Sequence, residues 1–343
     1  MAAMTTPALP QHTPIAATFR GGHPENIHFG SFAVVNAQGQ VLAKAGDIHS
    51  PLFTRSSLKP FQAMPFIAQA ADRLGLEEAD IALLCASHSG EPMHTSRVAS
   101  LLAKIGASER NLACGCHTPY FYAATGQTPT PGATYSRLQH NCSGKHTGML
   151  LLAHALAEPL DGYLDAGHAV QTEIAHSVSH FSGVPIDRLV SGIDGCSAPN
   201  YVVPLTALAH AFAKLTLTRD DPLYGSAPHR TARAMSHHPE LVSGHGRNDL
   251  VLMNAGRGDW VSKVGADGVQ AIASFSRGVA MAAKCSDGNL TALMVAMVSA
   301  LDQLGWTDAE SRAALAALLP APLKNAAGIE VGEMRSVLRL QLA

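Results

Sequence analysis

The segment WVSKVGADGVQAIASFSRGVAMAAK, residues 260–284, decides how the fold is read. Three short β-prone runs, 260–264, 269–275 and 279–284, are divided by Asp267-Gly268 and Arg277-Gly278. Asp-Gly between two such runs is a strong hairpin signal, because the tight turn needs residues that accept positive φ. A helix is expected next, over 290–304, ending at Gly305. Near the other end of the chain, GSFAVVN (30–36) and 41–45 flank a turn at Gly39 and read as a second hairpin. Between these regions the periodicity turns helical: from Pro60, over 91–105, in KHTGMLLLAHAL (145–156), and over 167–182, 205–215 and 222–236. Pro60 suits a first helical turn, whereas Pro65 should kink or interrupt the helix. Strands at both ends can join one antiparallel sheet, with the helical middle packed beside it. The expectation is an α/β (α+β) chain forming a single catalytic domain over 1–343. Residues 1–18 are read as a loose Ala/Thr/Pro segment, the sheet is drawn from about 19–60 and 255–343, and 61–254 is mostly helical.

Composition narrows the class of function. The chain has 343 residues, 47% hydrophobic and only 15% charged, with a formal net charge of −2. That is enough apolar residue for a substantial core, and neither sign of charge invites nucleic acid or an acidic membrane surface. No apolar run reaches 18 residues, and the start lacks the basic-then-apolar pattern of a leader, so a cytoplasmic location is expected. On that expectation the six cysteines are free thiols, either buried or working, rather than disulfides.

Several polar segments carry candidate chemistry. Arg55-Ser56-Ser57-Leu58-Lys59 holds an S-x-x-K pair, Ser56 and Lys59. If Ser56 opens a helix, Lys59 lies one turn on, on the same face. A desolvated lysine loses its proton more easily and can take that of a serine hydroxyl. With 26 serines and 8 lysines, chance alone supplies roughly 0.6 such matches, so the spacing by itself is weak. CASHSGE (85–91) places Ser87 and Ser89 at the end of an apolar run, where a plain turn with Ser89 as a helix cap competes with a hydroxyl aimed into a cleft. NCSGKHTG (141–148) repeats the three-residue offset with a thiol, Cys142, and Lys145. The nearby lysine favours thiolate, and a capped helix with a buried cysteine is the competing reading. SGIDGCSAP (191–199) brings Asp194 and Cys196 together; Cys142 and Cys196 could share a metal, although no C-x-x-C spacing is present. CGCH (114–117) reads as an irregular structural loop. Lys263, at the end of a strand, gains meaning only if a serine faces it.

Taken together, RSSLKPFQAMP, CASHSGEP, CGCHTP, HNCSGKHTGML, SGIDGCSAPN and KVGADGVQ occur in this order over about residues 19–290. The set resembles the successive motifs of the rhizobial-type L-asparaginases. That resemblance implies a fold like the serine β-lactamases and penicillin-binding proteins. It implies hydrolysis of L-asparagine to L-aspartate and ammonia, and a homodimer. It implies two serine–lysine pairs, Ser56 with Lys59 and Ser87 with Lys263, with Ser56 favoured as nucleophile and Ser87 as its alternative. Arg55 and Asp194 would position substrate or ligands. A zinc ion, held by Cys142, Lys145 and Cys196, is implied for some members. It would hold the amino-acid end of the substrate. No organic cofactor, nucleic acid or membrane partner is implied. Two rivals stand beside this reading. A β-lactamase or penicillin-binding hydrolase shares S-x-x-K, but S-D-N and K-T-G are missing here. A non-catalytic metal- or amino-acid-binding protein on the same scaffold is the other.

Overall fold

A computed structural model describes residues 9–343. Its strands are β1 (Thr13–Arg20), β2 (His23–Asn36), β3 (Val41–Ala45), β4 (Pro51–Phe53), β5 (Val190–Ile193), β6 (Pro199–Pro204), β7 (Trp260–Gly265), β8 (Val269–Ser274), β9 (Val279–Cys285), β10 (Leu323–Lys324), β11 (Glu330–Ser336) and β12 (Gln341–Leu342). Its α-helices are α1 (Lys59–Ala70), α2 (Glu78–Leu84), α3 (Pro92–Ala103), α4 (Tyr120–Thr125), α5 (Ser143–Ala155), α6 (Ala169–Ser182), α7 (Leu205–Leu217), α8 (Ala227–His237), α9 (Pro239–Val242), α10 (Asn248–Ala255), α11 (Leu290–Gln303) and α12 (Ala309–Leu315).

The main sheet is antiparallel and runs β10-β11-β1-β2-β9-β8-β7, so both chain regions supply it, as the hairpin signals require. The 260–284 segment forms β7, β8 and β9 in continuous register, Lys263 opposite Ala271 and Ala271 opposite Ala282. Asp267 and Gly268 take φ of 56° and 76° in the first turn, the conformation that favours Asp-Gly. Strand β2 is long enough to take β1 along its first half and β3 along its second, while β9 lies on its other edge.

Both faces of the sheet are covered, because side chains alternate between two apolar clusters. Ala33 and Val35 join Ala271, Ala273, Ala280 and Ala282 against the helical middle of the chain. Phe32 and Val34 join Ile272 and Met281 in the cluster that holds Leu293, Met297 and Leu301 of α11. The alanines on the first face leave room for α7, whose Leu208, Ala209 and Phe212 are fully buried.

Three expectations change. The segment 1–18 is not loose throughout: its first eight residues lie outside the described residues, but Thr13 onward forms β1, an interior strand between β2 and β11. Ile15, Ala16 and Ala17 are buried there, and of its two partner strands β2 follows directly while β11 lies some three hundred residues away. Pro65 does not interrupt α1. Proline lacks the N–H that would bond the carbonyl four residues earlier, that of Phe61, and the Ser177 hydroxyl donates to that carbonyl at 2.7 Å instead. The helical middle also contains strands: β6 pairs with both β4 and β5 in a second, three-stranded sheet.

Candidate active site

The turn carrying Ser56 is a 3₁₀ segment, Arg55–Leu58, that runs directly into α1. It is tied down by Thr54, whose N–H and hydroxyl both donate to the Tyr201 carbonyl, and by the Arg55 N–H on Asn200 Oδ1 at 3.0 Å. Arg55 has φ of 51°, a strained value for a side chain of its size. Strand β7 approaches this turn so closely that a Cβ on Gly265 would lie 2.5 Å from the Thr54 carbonyl oxygen, and only glycine fits. Ser87 lies in the loop after α2. That loop is fixed by its own N–H on the Val242 carbonyl at 2.9 Å and by the His88 N–H on the Asn141 carbonyl at 3.1 Å. Helix α5 lies against the end of α2, since a Cβ at Gly144 would meet the Leu83 oxygen at 2.2 Å. These close approaches bring Ser56, Ser87, Asn141, Arg247 and the 264–268 turn around one cleft of about 290 Å³.

Behind the cleft two lysines are fully buried, Lys59 and Lys263. Their partners are not those the sequence suggests. Lys59 Nζ donates to Ser87 Oγ at 2.9 Å, to the Ala86 carbonyl at 2.6 Å and to the Asn141 carbonyl at 3.4 Å. The long lysine stem carries the amine past the adjacent Ser56 turn to the neighbouring loop. Lys263 Nζ meets the buried carboxylate of Asp249 at 3.3 Å and the Val264 carbonyl at 3.1 Å. A carboxylate is a stronger acceptor for an ammonium than a hydroxyl is, and α10 presents Asp249 to β7. Asp249 is itself saturated by the Ser262 hydroxyl, the Val264 N–H and the Gln270 amide.

Burial pulls the Lys59 amine below its ordinary range, with the Cys142 thiolate opposing. Burial likewise brings Lys263 down to about 8, opposed by Asp249. Asp249 stays ionised: burial works against its charge, but Lys263 and the three donors outweigh that. A neutral or readily deprotonated amine against a hydroxyl is what proton abstraction needs.

The third cluster lies beside Lys59. Cys142, Lys145 and Cys196 are all buried, and Lys145 Nζ donates to Cys196 Sγ at 2.9 Å. The Cys142 thiol is held well below its ordinary value, chiefly by its hydrogen bond with Cys196 and then by Lys59 and Lys145. Burial acts to lower Lys145, yet the neighbouring Cys196 and Cys142 sulfurs outweigh it and raise the amine. Asp194 accepts from Arg55 Nε at 2.7 Å, and Arg55 also contacts Asp267. Among the described residues no group of three His, Cys, Asp or Glu side chains is placed to hold a metal. Two thiols with a lysine amine still form a compact donor set of the soft kind that suits zinc, provided the lysine is neutral.

The structure therefore brings together Ser56, Ser87, Lys59, Cys142, Lys145 and Cys196, with Arg55 and Asp194 on one flank, places Lys59 on Ser87, and gives Lys263 a carboxylate partner, Asp249, in place of a serine. It adds two residues that no sequence motif singles out, Arg247 and Asp249. A signal for them exists: polar residues at 247–249 stand immediately before an apolar helix, as at 141–145. The N–H groups of Ser87 and His88, natural candidates for stabilising an oxyanion, are already committed to carbonyls.

A serine hydroxyl on a buried amine, open to a small cleft, is the equipment of a serine hydrolase that uses lysine as base. The family model for L-asparaginase II matches residues 16–336, and the chain belongs to that family. It is accordingly an amidohydrolase that converts L-asparagine to L-aspartate and ammonia. No curated protein matches the sequence. Among solved structures, the chain is similar to a β-lactamase from Mycobacterium bovis (15% identity, 85% of this chain and 95% of that one, TM-score 0.41). A putative β-lactamase from Bacteroides dorei gives 15% identity, 80% and 93% coverage and a TM-score of 0.41. Mglu in its native form gives 14% identity, 81% of this chain but 61% of that one, and a TM-score of 0.45. Overlaps this slight carry no argument about fold or chemistry.

No helix among the described residues is long and apolar enough to cross a membrane.

Proposed function

We propose that this chain is a rhizobial-type asparaginase, a cytoplasmic homodimer, in which Ser87 is the nucleophile and Lys59 its base. The 2.9 Å contact between Lys59 Nζ and Ser87 Oγ, in a buried site, carries the reading. Neutral Lys59 takes the Ser87 proton as Oγ attacks the side-chain amide carbon of asparagine. The same proton passes to the departing nitrogen, ammonia leaves, and a β-aspartyl ester on Ser87 remains. Water, deprotonated by Lys59, then attacks the ester, and the proton returns to Ser87 as aspartate is released. Ser56 lines the same cleft and takes part by hydrogen bonding to the reacting group. Arg55 and Asp194 hold each other and shape the wall beside the Ser56 turn. Lys263 acts through its charge, held in place by Asp249.

Zinc would be held by Cys142, Lys145 and Cys196. When bound, the ion supplies a fixed positive charge beside Lys59, which favours the neutral amine. The two sulfurs beside the Lys145 amine support this reading, and metal analysis of the purified protein before and after C142A tests it.

The test of the reaction is ammonia release from asparagine and from glutamine. Ser87→Ala should lower kcat on asparagine by at least about 10⁴-fold. A Ser87→Ala enzyme as fast as the parent, with Ser56→Ala inactive, would return the nucleophile role to Ser56.

A further inference from the structure

Hydrolysis of a free amino acid at its side-chain amide also requires a group that takes the α-carboxylate of the substrate. Arg55 is poorly suited, because its guanidinium is already shared between Asp194 and Asp267. Arg247 is in the opposite condition. It lines the catalytic cleft with Ser56 and Ser87, and also a smaller adjoining pocket of about 240 Å³. Its Nε is buried and has no hydrogen-bond partner. Among the ion pairs of the described residues none uses it: the nearby acid, Asp249, is consumed by Lys263, Ser262, Gln270 and the Val264 N–H. The Nε has thus lost solvent without gaining a partner, which is costly unless a ligand completes it, while the half-buried side chain keeps an opening toward the cleft.

The side chain is also set in place beforehand. Its guanidinium carbon lies 4.9 Å from the centre of the Tyr120 ring. The preceding Gly246 has φ of +72°, and a Cβ there would come within 2.5 Å of the Ala124 carbonyl oxygen, so the loop is pinned against α4. Ser243, in the same loop, lines the adjoining pocket and also has a buried hydroxyl with no partner. Stacking and a fixed loop reduce the ordering cost of capturing a ligand. A planar fork of N–H donors matches a carboxylate in a two-point contact.

We propose that Arg247 is the anchor for the α-carboxylate of L-asparagine, orienting the side-chain amide toward Ser87. The proposal rests on the asparaginase reading and deepens it. A substrate held at one end by Arg247 presents its far amide to the serine, so chain length between carboxylate and amide becomes a selected property. Glutamine, one methylene longer, places its amide differently over Ser87.

The experiment compares the parent with Arg247→Gln and Arg247→Lys, using steady-state kinetics on asparagine and calorimetric binding of L-aspartate. The expected result is a KM for asparagine raised about 10- to 100-fold in R247Q, kcat within a few-fold of the parent, and partial recovery of KM in R247K. Aspartate binding should weaken by the same factor. A fall in kcat with unchanged KM, or equal aspartate affinity in parent and R247Q, overturns the proposal. If the parent releases no ammonia from asparagine, the asparaginase reaction fails, and calorimetry still decides the anchor. Aspartate binding to the parent and lost in R247Q sustains it, whereas binding to neither or to both alike refutes it. A thermal melt of each variant separates misfolding, which would remove kcat and binding together, from loss of the contact.

Discussion

Lys59 and Lys263 are both fully buried, both lie beside one cleft, and both are pulled down by desolvation, yet they face different partners. Lys59 stands at the start of a helix and meets a hydroxyl and two carbonyls. Lys263 stands on a strand and meets a carboxylate. Burial alone therefore does not make a base. What the amine touches decides whether it can exchange a proton with a reacting group or serves as one half of a structural ion pair. On the proposed mechanism the first arrangement serves the proton transfer, and the second supplies a fixed charge while tying β7 to α10.

The sharpest way to break this contrast is to keep each charge and remove the ability to lose it. Arginine stays protonated at any working pH. Lys59→Arg should therefore lower kcat on asparagine by about 10³-fold or more, the usual scale for losing a general base. Lys263→Arg, which keeps a cation against Asp249, should cost less than about tenfold. Equal losses in ammonia release from the two variants would mean that Lys263 also exchanges protons.

Next in size is stability. Asp249→Asn leaves Lys263 buried without its counter-charge and should cost about 3–5 kcal/mol in urea unfolding. The double change Asp249→Leu with Lys263→Met should recover much of that loss, since a well-packed apolar pair replaces the ion pair. If the double variant is as unstable as the single one, the pair is not what holds these elements.

The smallest expected effect is a displaced pH limb. On the proposed mechanism the active form of Lys59 is neutral, so kcat/KM should rise with pH while Lys59 loses its proton and then level. Because burial lowers that amine, the rise falls below the ordinary lysine range. Below it, each pH unit should cost about tenfold. A profile flat across that limb would remove Lys59 from the proton path.

Much of this architecture is legible in the amino-acid sequence. Asp267-Gly268 declares the β7–β8 hairpin because the turn chemistry is local. The helices of the middle region show their apolar period because each is long enough to repeat it. Ser56, Ser87, Lys59 and the Cys142–Lys145–Cys196 group can be named from ordered motifs, although not which lysine meets which serine. That pairing depends on where a flexible stem ends after two loops pack, and no spacing encodes it. Strand β1 is illegible because its partners β2 and β11 create it and only one of them is adjacent in sequence. Asp249 and Arg247 escape a motif reading because their roles come from what surrounds them: one carboxylate fully used, one guanidinium unused.

The pairing of β1 with β11 also bears on synthesis. Ala16 pairs with Ser336, more than three hundred residues further along the chain. Until the ribosome releases residues 330–336, one edge of β1 is an open row of backbone donors and acceptors, able to pair with a neighbouring nascent chain. Helices α1 to α8 can assemble meanwhile, but this edge of the sheet closes only once β11 has been made. A nascent chain of this protein therefore carries open strand edges, on β1 until β11 is made and on β2 until β9 is made, through the synthesis of the whole helical region.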